Sequence, residues 1–295
     1  ASIVGYGQWS DVVCVSEIGK PLYNFYGYVV EGVYESLEDI ENSPKTAKHP
    51  ANGVYNRANT VWVGDLKYKD QITEDTDGDG IPDSGDGVIN DKDRTDIGSP
   101  LPKFTFGWNN TFRYKGFDLN IFLNGSYGNK VLNYSLMNGP SGGLASMRSA
   151  WVNQNNDAIK DRAQLVPIDP DKVYEDGSMW YNDITNVKVA NSGTKTPRPT
   201  LNDPNDNDRL STRYVEDGSY LRIKNLTLGY TFPKKWMQKI KFDNIRIYCN
   251  IQNLYTFTKY SGYDPEVGAS TQDSSGYAYG VDNGRYPSPT TYSFG

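Results

Sequence analysis

The sequence predicts an all-β chain, part of an antiparallel transmembrane β-barrel with long extracellular loops and one short helix in a loop. Three observations lead there. Four segments alternate apolar and polar residues over about 11 positions each, close to the ~9–11 residues of a tilted membrane strand and longer than the ~5–6 of an ordinary sheet. Aromatic residues gather at the ends of those segments, at Phe104, Tyr114, Phe117, Tyr127, Tyr230, Phe232 and Tyr255. The connections alternate short and long, as tight turns and long loops do on the two sides of an up-and-down barrel.

Taken in order, residues 1–103 read mostly as extracellular loop, including an acidic stretch at 65–96. ASIVGYGQWS has neither a charged leader nor a long apolar run, so the chain is expected to begin mid-protein or after processing. A hairpin follows over 104–128. In FTFGWNNTFRY, Phe104, Phe106, Trp108, Phe112 and Tyr114 share one parity; in FDLNIFLNGSY, Phe117, Leu119, Ile121 and Leu123 do the same, and only Lys115-Gly116 separates the two runs. Residues 129–218 form a long extracellular loop rich in Asn, Asp, Gly and Pro. Its one predicted helix lies in GLASMRSAWVN, where Leu144, Met147, Trp151 and Val152 share a packing face.

A strand pair is expected over 219–257. In YLRIKNLTLGY the apolar parity jumps from Leu221 and Ile223 to Leu226, Leu228 and Tyr230, which requires an extra residue near Lys224-Asn225, a β-bulge. In FDNIRIYCNIQNL, Ile245, Ile247, Cys249 and Ile251 oppose Arg246, Tyr248, Asn250 and Gln252, with Cys249 acting as a small hydrophobe. Pro233–Lys241 is then a periplasmic link, 258–287 an extracellular loop, and 288–295 the start of a last strand that stops just as Tyr292 and Phe294 set up alternation.

Composition narrows the function. The chain has 295 residues, 37% hydrophobic, and a net charge of −6. No apolar run approaches the ~18 residues of a spanning helix, while barrel strands average out to a hydrophilic composition and stay open. The acidic balance argues against a nucleic-acid partner. Cys14 and Cys249 show no metal or disulfide spacing. The single histidine, His49, removes His-based triads, phosphate-binding glycine motifs are absent, and nothing selects a catalytic pair among the 36 acids. An enzyme is not expected.

Residues 65–96 hold eleven acidic side chains against Lys67, Lys69, Lys92 and Arg94. Within DTDGDGIPDSGD, Asp75, Asp77 and Asp79 fall at positions 1, 3 and 5 of a calcium loop, Gly80 at its sharp turn, the Ile81 carbonyl at position 7, and Asp83 and Asp86 at positions 9 and 12. Alternate carboxylates let one curved backbone surround a hard cation, so a structural calcium is expected there. Asp at position 12 and the lack of flanking helices set it apart from an EF-hand. A solvated acidic turn is the alternative, and GDGVINDKD, with Asp86, Asp91 and Asp93, offers a second or overlapping site.

The blocks EIGKPLYNFYGYVVEGVY, GDLKYKD, DGDGVINDKDRTDIGSPLPKFTFGWNNTFRYKGFDLNIFLNGSYGN, YLRIKNLTLGYTFPKKW and RIYCNIQNLYTFTKYSGYDPE, in this order, resemble the C-terminal part of SusC/RagA-type TonB-linked outer-membrane transporters of Bacteroidetes. DRTDIGSPLPKF and YLRIKNLTLGYTFP are the most specific pieces. The resemblance implies a location in the bacterial outer membrane, amid its lipid, and a large barrel filled by an N-terminal plug. It also implies energisation through TonB and a SusD-like surface lipoprotein that captures glycans or peptides. The plug, the TonB-contacting segment and most strands are not in this sequence, so the chain must pair with the remainder of its receptor. Of the loop aromatics Trp151, Trp180, Tyr181, Tyr260, Tyr263, Tyr277 and Tyr279, Trp180 and Tyr181 are the candidate substrate-binding residues, with lid contact or loop packing as alternatives; Tyr255 and Tyr260 are assigned to the interfacial girdle. The competing reading is a secreted calcium-binding β-sandwich that binds carbohydrate.

Overall fold

The computed structural model describes residues 2–6, 11–138, 161–200, 202–270 and 278–295. The most regular sequence patterns become its longest strands. β1 (Phe104–Tyr114) and β2 (Phe117–Tyr127) pair in unbroken register from Phe104 opposite Tyr127 to Tyr114 opposite Phe117. Lys115 and Gly116 both take positive φ, 46° and 90°, as a type I′ turn requires, and its twist matches that of the strands it joins. β3 (Tyr220–Thr231), β4 (Arg246–Thr258) and β5 (Thr291–Phe294) complete a five-stranded antiparallel sheet in the order β5-β4-β3-β2-β1.

The bulge expected from parity is present. Ile223 pairs with Leu123 and Asn225 with Phe122, which leaves Lys224 as the extra residue. Against β4 the same break sets Ile223 opposite Tyr255 and Asn225 opposite Gln252. Its effect is to keep Leu221, Ile223, Leu226, Leu228 and Tyr230 on one face despite their change of parity. Directly opposed residues share a face. That face therefore also carries Phe106, Trp108 and Phe112 of β1, Leu119, Ile121 and Leu123 of β2, and Ile247, Cys249 and Ile251 of β4.

Aromatic rings close this apolar band at both ends. Toward the hairpin turn, Tyr230 lies 4.6 Å from Phe117 and 5.1 Å from Phe232 between ring centroids. At the other end Phe104 lies 5.3 Å from Tyr127, and Tyr255 lies 4.7 Å from Phe257. At ~3.3 Å per residue β1 extends about 33 Å, and a tilt of ~40° projects that to about 25 Å, the height of an outer-membrane apolar band. Tyr255 belongs to this girdle. Tyr260 does not: β4 ends at Thr258, the chain turns inward, and the buried Tyr260 hydroxyl donates to Asp282 Oδ2 at 2.6 Å.

The segments read as loops hold packed structure of their own. Ser2–Tyr6, Asp11–Ser16, Asn24–Gly27 and Thr95–Gly98 form a four-stranded sheet in that order. Lys130–Asn133 lies between Val215–Asp217 and Val281–Asp282, joining three distant stretches. A core around the fully buried Trp62 gathers Tyr34, Ile40, Val61, Val63, Leu66 and Tyr68 with Ala163, Ile184, Val187 and Val189. A second joins Val13, Cys14 and Phe25 to Leu132, Tyr214 and Val281.

The helix expected in 143–153, with Trp151, lies outside the described residues, as does Tyr277. Among the described residues short helices stand at Leu37–Glu41, Tyr134–Asn138 and Lys234–Lys239. Ser36 caps the first by accepting from the Asp39 amide at 3.2 Å. Pro233, which lacks an N–H to satisfy, precedes the third and fills the link between β3 and β4.

Candidate functional site

Opposite the apolar face, the five-stranded sheet presents polar side chains that bond to one another. Asn120 donates to Asn109 Oδ1 at 2.8 Å and to Thr111 Oγ1 at 2.9 Å, and Thr227 donates to Asn250 at 2.8 Å. Arg246 forks onto Asp118, with Nη2 2.6 Å from Oδ2 and Nε 3.1 Å from Oδ1. Farther along, the buried Arg222 bonds to Thr256 at 2.8 Å, to Glu266 at 2.7 Å and to Asp264. Both acids come from the segment after β4, so Arg222 ties that segment to the polar face. A sheet with one apolar face ringed by aromatics and one polar, hydrogen-bonded face is built to separate lipid from an aqueous lumen.

The acidic segment brings together part of its expected ligand set. Asp75, Asp77 and Asp79 offer carboxylate oxygens within 4.8 Å of one another, all three exposed. Asp75 accepts from the Gly78 and Gly80 amides at 2.7 Å each, which curls the loop and holds its carboxyl below the usual range. Asp79 accepts from the Ile81 amide at 2.8 Å. Asp83 and Asp86 do not join them. Asp83 accepts from the Thr76 amide and hydroxyl, while Asp86 accepts from Val88 at 2.9 Å and lies 3.5 Å from Lys92. Of the second motif, Asp93 is buried and accepts from Asn90 and Gln71, which makes it a local cap.

Trp180 and Tyr181 share the short 3₁₀ turn Trp180–Asn182, with ring centroids 5.6 Å apart. Trp180 packs against the Trp62 core. Tyr181 turns its face to Arg57, whose guanidinium carbon stands 4.9 Å from the ring centroid. Asp183 anchors the turn. Burial disfavours its charge, yet Lys172 at 2.6 Å, Thr185 and Tyr174 outweigh that and hold its carboxyl at about 2.

Next to this turn is a cavity of about 580 Å³, bordered by Tyr55, Asn56, Arg57, Asn182, Thr200 and Asn202, with Arg198 at its buried side. Arg198 pairs with the fully buried Asp65 at 2.8 and 3.1 Å. Asp65 in turn accepts from the Trp62 amide and from Asn207. Asn207 also donates to Asp203 at 2.7 Å, accepts from the Leu66 amide at 2.7 Å, and its carbonyl accepts from Tyr214. Sequence pattern gave no sign of this cavity. Its residues come from two stretches more than a hundred positions apart, and Arg198, flanked by Pro197 and Pro199, sits in no periodic run.

No protein-family model matches the chain. Among curated proteins it is 31% identical over 282 residues to TonB-dependent receptor P3 of Formosa agariphila, which covers 94% of this chain and 22% of that protein. It is 27% identical over 269 residues to TonB-dependent receptor SusC of Bacteroides thetaiotaomicron, covering 89% of this chain and 21% of that one. The chain thus spans about a fifth of the length of these relatives. Among solved structures, the RagAB peptide transporter matches 95% of the chain and 23% of its own, with a TM-score of 0.54 and 19% identity, a likeness of fold. The closed-closed state of the RagAB peptide importer gives a TM-score of 0.51 at 20% identity.

Proposed function

The chain belongs to the SusC/RagA-type TonB-dependent receptors of the bacterial outer membrane, and from that premise we propose that it forms part of the wall and outer rim of an active nutrient importer. In this reading a SusD-like surface lipoprotein captures oligosaccharides or peptides, and TonB, acting through segments outside this chain, energises their passage. The two-faced sheet carries the proposal. Its apolar side matches lipid in height and in its aromatic ends, and its polar side offers a lumen lined with amides, hydroxyls and paired charges. β1 carries a row of backbone groups on its outer edge, which calls for a neighbouring strand from the remainder of the same barrel.

The segments 1–103, 129–218 and 258–287 stand on the extracellular side in this reading, and the Lys115-Gly116 turn and the Lys234–Lys239 helix face the periplasm. Calcium held at Asp75, Asp77 and Asp79, with the Ile81 carbonyl and with Asp83 and Asp86 swinging in, would brace an outer loop and do no chemistry. The secreted β-sandwich alternative is disfavoured by β1, where Phe104 and Phe112 remain 54% and 53% exposed among the described residues, unlike the inner face of a sandwich.

Deletion of the full-length receptor tests the function. Cells lacking it should lose uptake of the oligomers its lipoprotein binds, and the loss should be reproduced by removing TonB. Uptake unchanged in both strains overturns the importer reading.

A further inference from the structure

Resting on the importer reading, we propose that the cavity beside Trp180–Asn182 is a subsite for the carboxylate of an acidic sugar unit, gripped by Arg57. Charge is the first argument. Two guanidiniums and one carboxylate meet here. Arg198 is neutralised by its close pair with Asp65, whereas no acidic side chain among the described residues pairs with Arg57. Burial and the neighbouring Arg198 both weigh against the Arg57 charge. An anion in the cavity would relieve that by supplying the missing negative charge.

Geometry is the second argument. The guanidinium lies over the Tyr181 ring at 4.9 Å, which fixes its plane. The Arg57 carbonyl accepts from Arg198 at 3.3 Å, which ties its backbone to the buried pair. A guanidinium held in this way presents parallel N–H groups that match the two oxygens of a carboxylate.

The remaining lining selects the class of ligand. Asn56, Asn182, Asn202 and Thr200 offer neutral donors and acceptors suited to hydroxyl groups, while Tyr55, Ala58 and Pro199 supply an apolar wall against which a sugar ring can lie. Four neutral hydrogen-bonding side chains around one unpaired cation match a ligand with several hydroxyls and one carboxylate, which an acidic sugar supplies and an acidic peptide does not. A volume of about 580 Å³ suits a small ligand or one or two units of a longer one.

Calorimetry on the full-length receptor in detergent tests this with three probes: digalacturonate, neutral digalactose and the dipeptide Asp-Asp. The wild type should bind digalacturonate at least ~10-fold more tightly than digalactose, the scale of one charge-assisted pair. Arg57→Gln should erase that preference, and Arg57→Lys, which keeps the charge, should retain part of it. Equal affinity for the two sugars, no binding of either, or an unchanged preference in Arg57→Gln overturns the subsite. Asp-Asp binding as tightly as digalacturonate, with the same dependence on Arg57, overturns the sugar assignment in favour of an acidic peptide. The importer reading fails separately: uptake that persists without TonB sinks it while the binding preference still stands.

Discussion

Arg246 reaches across Gly229 to grip Asp118. Gly229 of β3 pairs with Asp118 of β2 on one side and with Tyr248 of β4 on the other, so the ion pair bridges three strands over the one residue that has no side chain. A Cβ at Gly229 would sit 2.7 Å from Asp118 Oδ1 and closer still to Arg246 Nη2. Gly229→Val should therefore break the fork, and Asp118→Asn should do so without adding bulk. Both substitutions should lower the temperature at which the folded receptor band is lost on gels run after graded heating, with Gly229→Val the more harmful. A Gly229→Val receptor as heat-resistant as wild type would show that the bridge has room to move aside.

The register makes a sharper demand on β3 and β4. Leu226 and Ile251 oppose each other near the middle of the apolar band, and Thr227 pairs with Asn250 on the polar face. Leu226→Arg should destabilise the folded receptor by about 2–4 kcal/mol, the cost of a cation at the lipid midplane, and Thr227→Arg by far less. Thiol labelling checks the same point in a receptor lacking Cys14 and Cys249: a membrane-impermeant reagent should reach Asn250→Cys and not Ile247→Cys. Equal labelling would reverse the assignment of faces.

These strands were legible because a period of two persisted for about 11 residues, long enough for a parity jump at Lys224 to stand out as a bulge. The Trp62 core was not. Tyr34, Trp62, Leu66, Ile184 and Val187 come from short stretches that contribute two or three residues each, too few to establish a period. Their assembly depends on long-range polar contacts such as Leu66 amide to Asn207, which span 141 positions. Alternating aspartates identified Asp75, Asp77 and Asp79 as neighbours, because that spacing acts within one turn. It could not foresee that Asp83 would be held by Thr76 and Asp86 by Val88. Tyr260 was misplaced because its distance from a strand end was visible and the inward turn of the chain after Thr258 was not.

The Asp65–Arg198 pair should hold the Trp62 core together. Both side chains are buried, so Arg198→Ala leaves an uncompensated carboxylate and should cost about 3–5 kcal/mol. Limited proteolysis of the full-length receptor should then cut within 55–68 and 195–210 while the barrel strands resist. Protection equal to wild type would mean that the pair contributes little beyond its hydrogen bonds.

Asp203 gives the same region a pH dependence. Burial raises its carboxyl to about 7, and the like charges of Asp208 and Asp65 add to the effect. The folded chain therefore keeps a proton that the unfolded chain releases near ~3.9. Stability from this group is complete below that value and is lost as pH rises to about 7. Amide exchange around Asn207, after correction for intrinsic rates, should quicken between pH 5 and pH 8. Asp203→Asn, which tolerates the local φ of 38°, should flatten the response. Protection that is unchanged or improved with rising pH would contradict the direction.

Calcium binding at the acidic loop should be weak and should reorganise it. Asp75, Asp77 and Asp79 already converge, but three monodentate carboxylates fall short of the six to eight oxygens the ion prefers. Completing the shell requires Asp83 to release Thr76, which it holds at 2.7 and 2.8 Å, and Asp86 to leave Val88 and Lys92. That rearrangement, and the short reach of Asp at position 12, place the dissociation constant on the order of 10⁻⁴ to 10⁻³ M. Magnesium should compete poorly, since its small octahedron dehydrates reluctantly. Calorimetry on the intact receptor should show one calcium site that disappears in Asp77→Ala plus Asp79→Ala, and Thr76→Ala, by freeing Asp83, should strengthen binding. Calcium uptake indifferent to the double substitution would return the loop to a solvated acidic turn whose carboxylates serve only its own backbone amides.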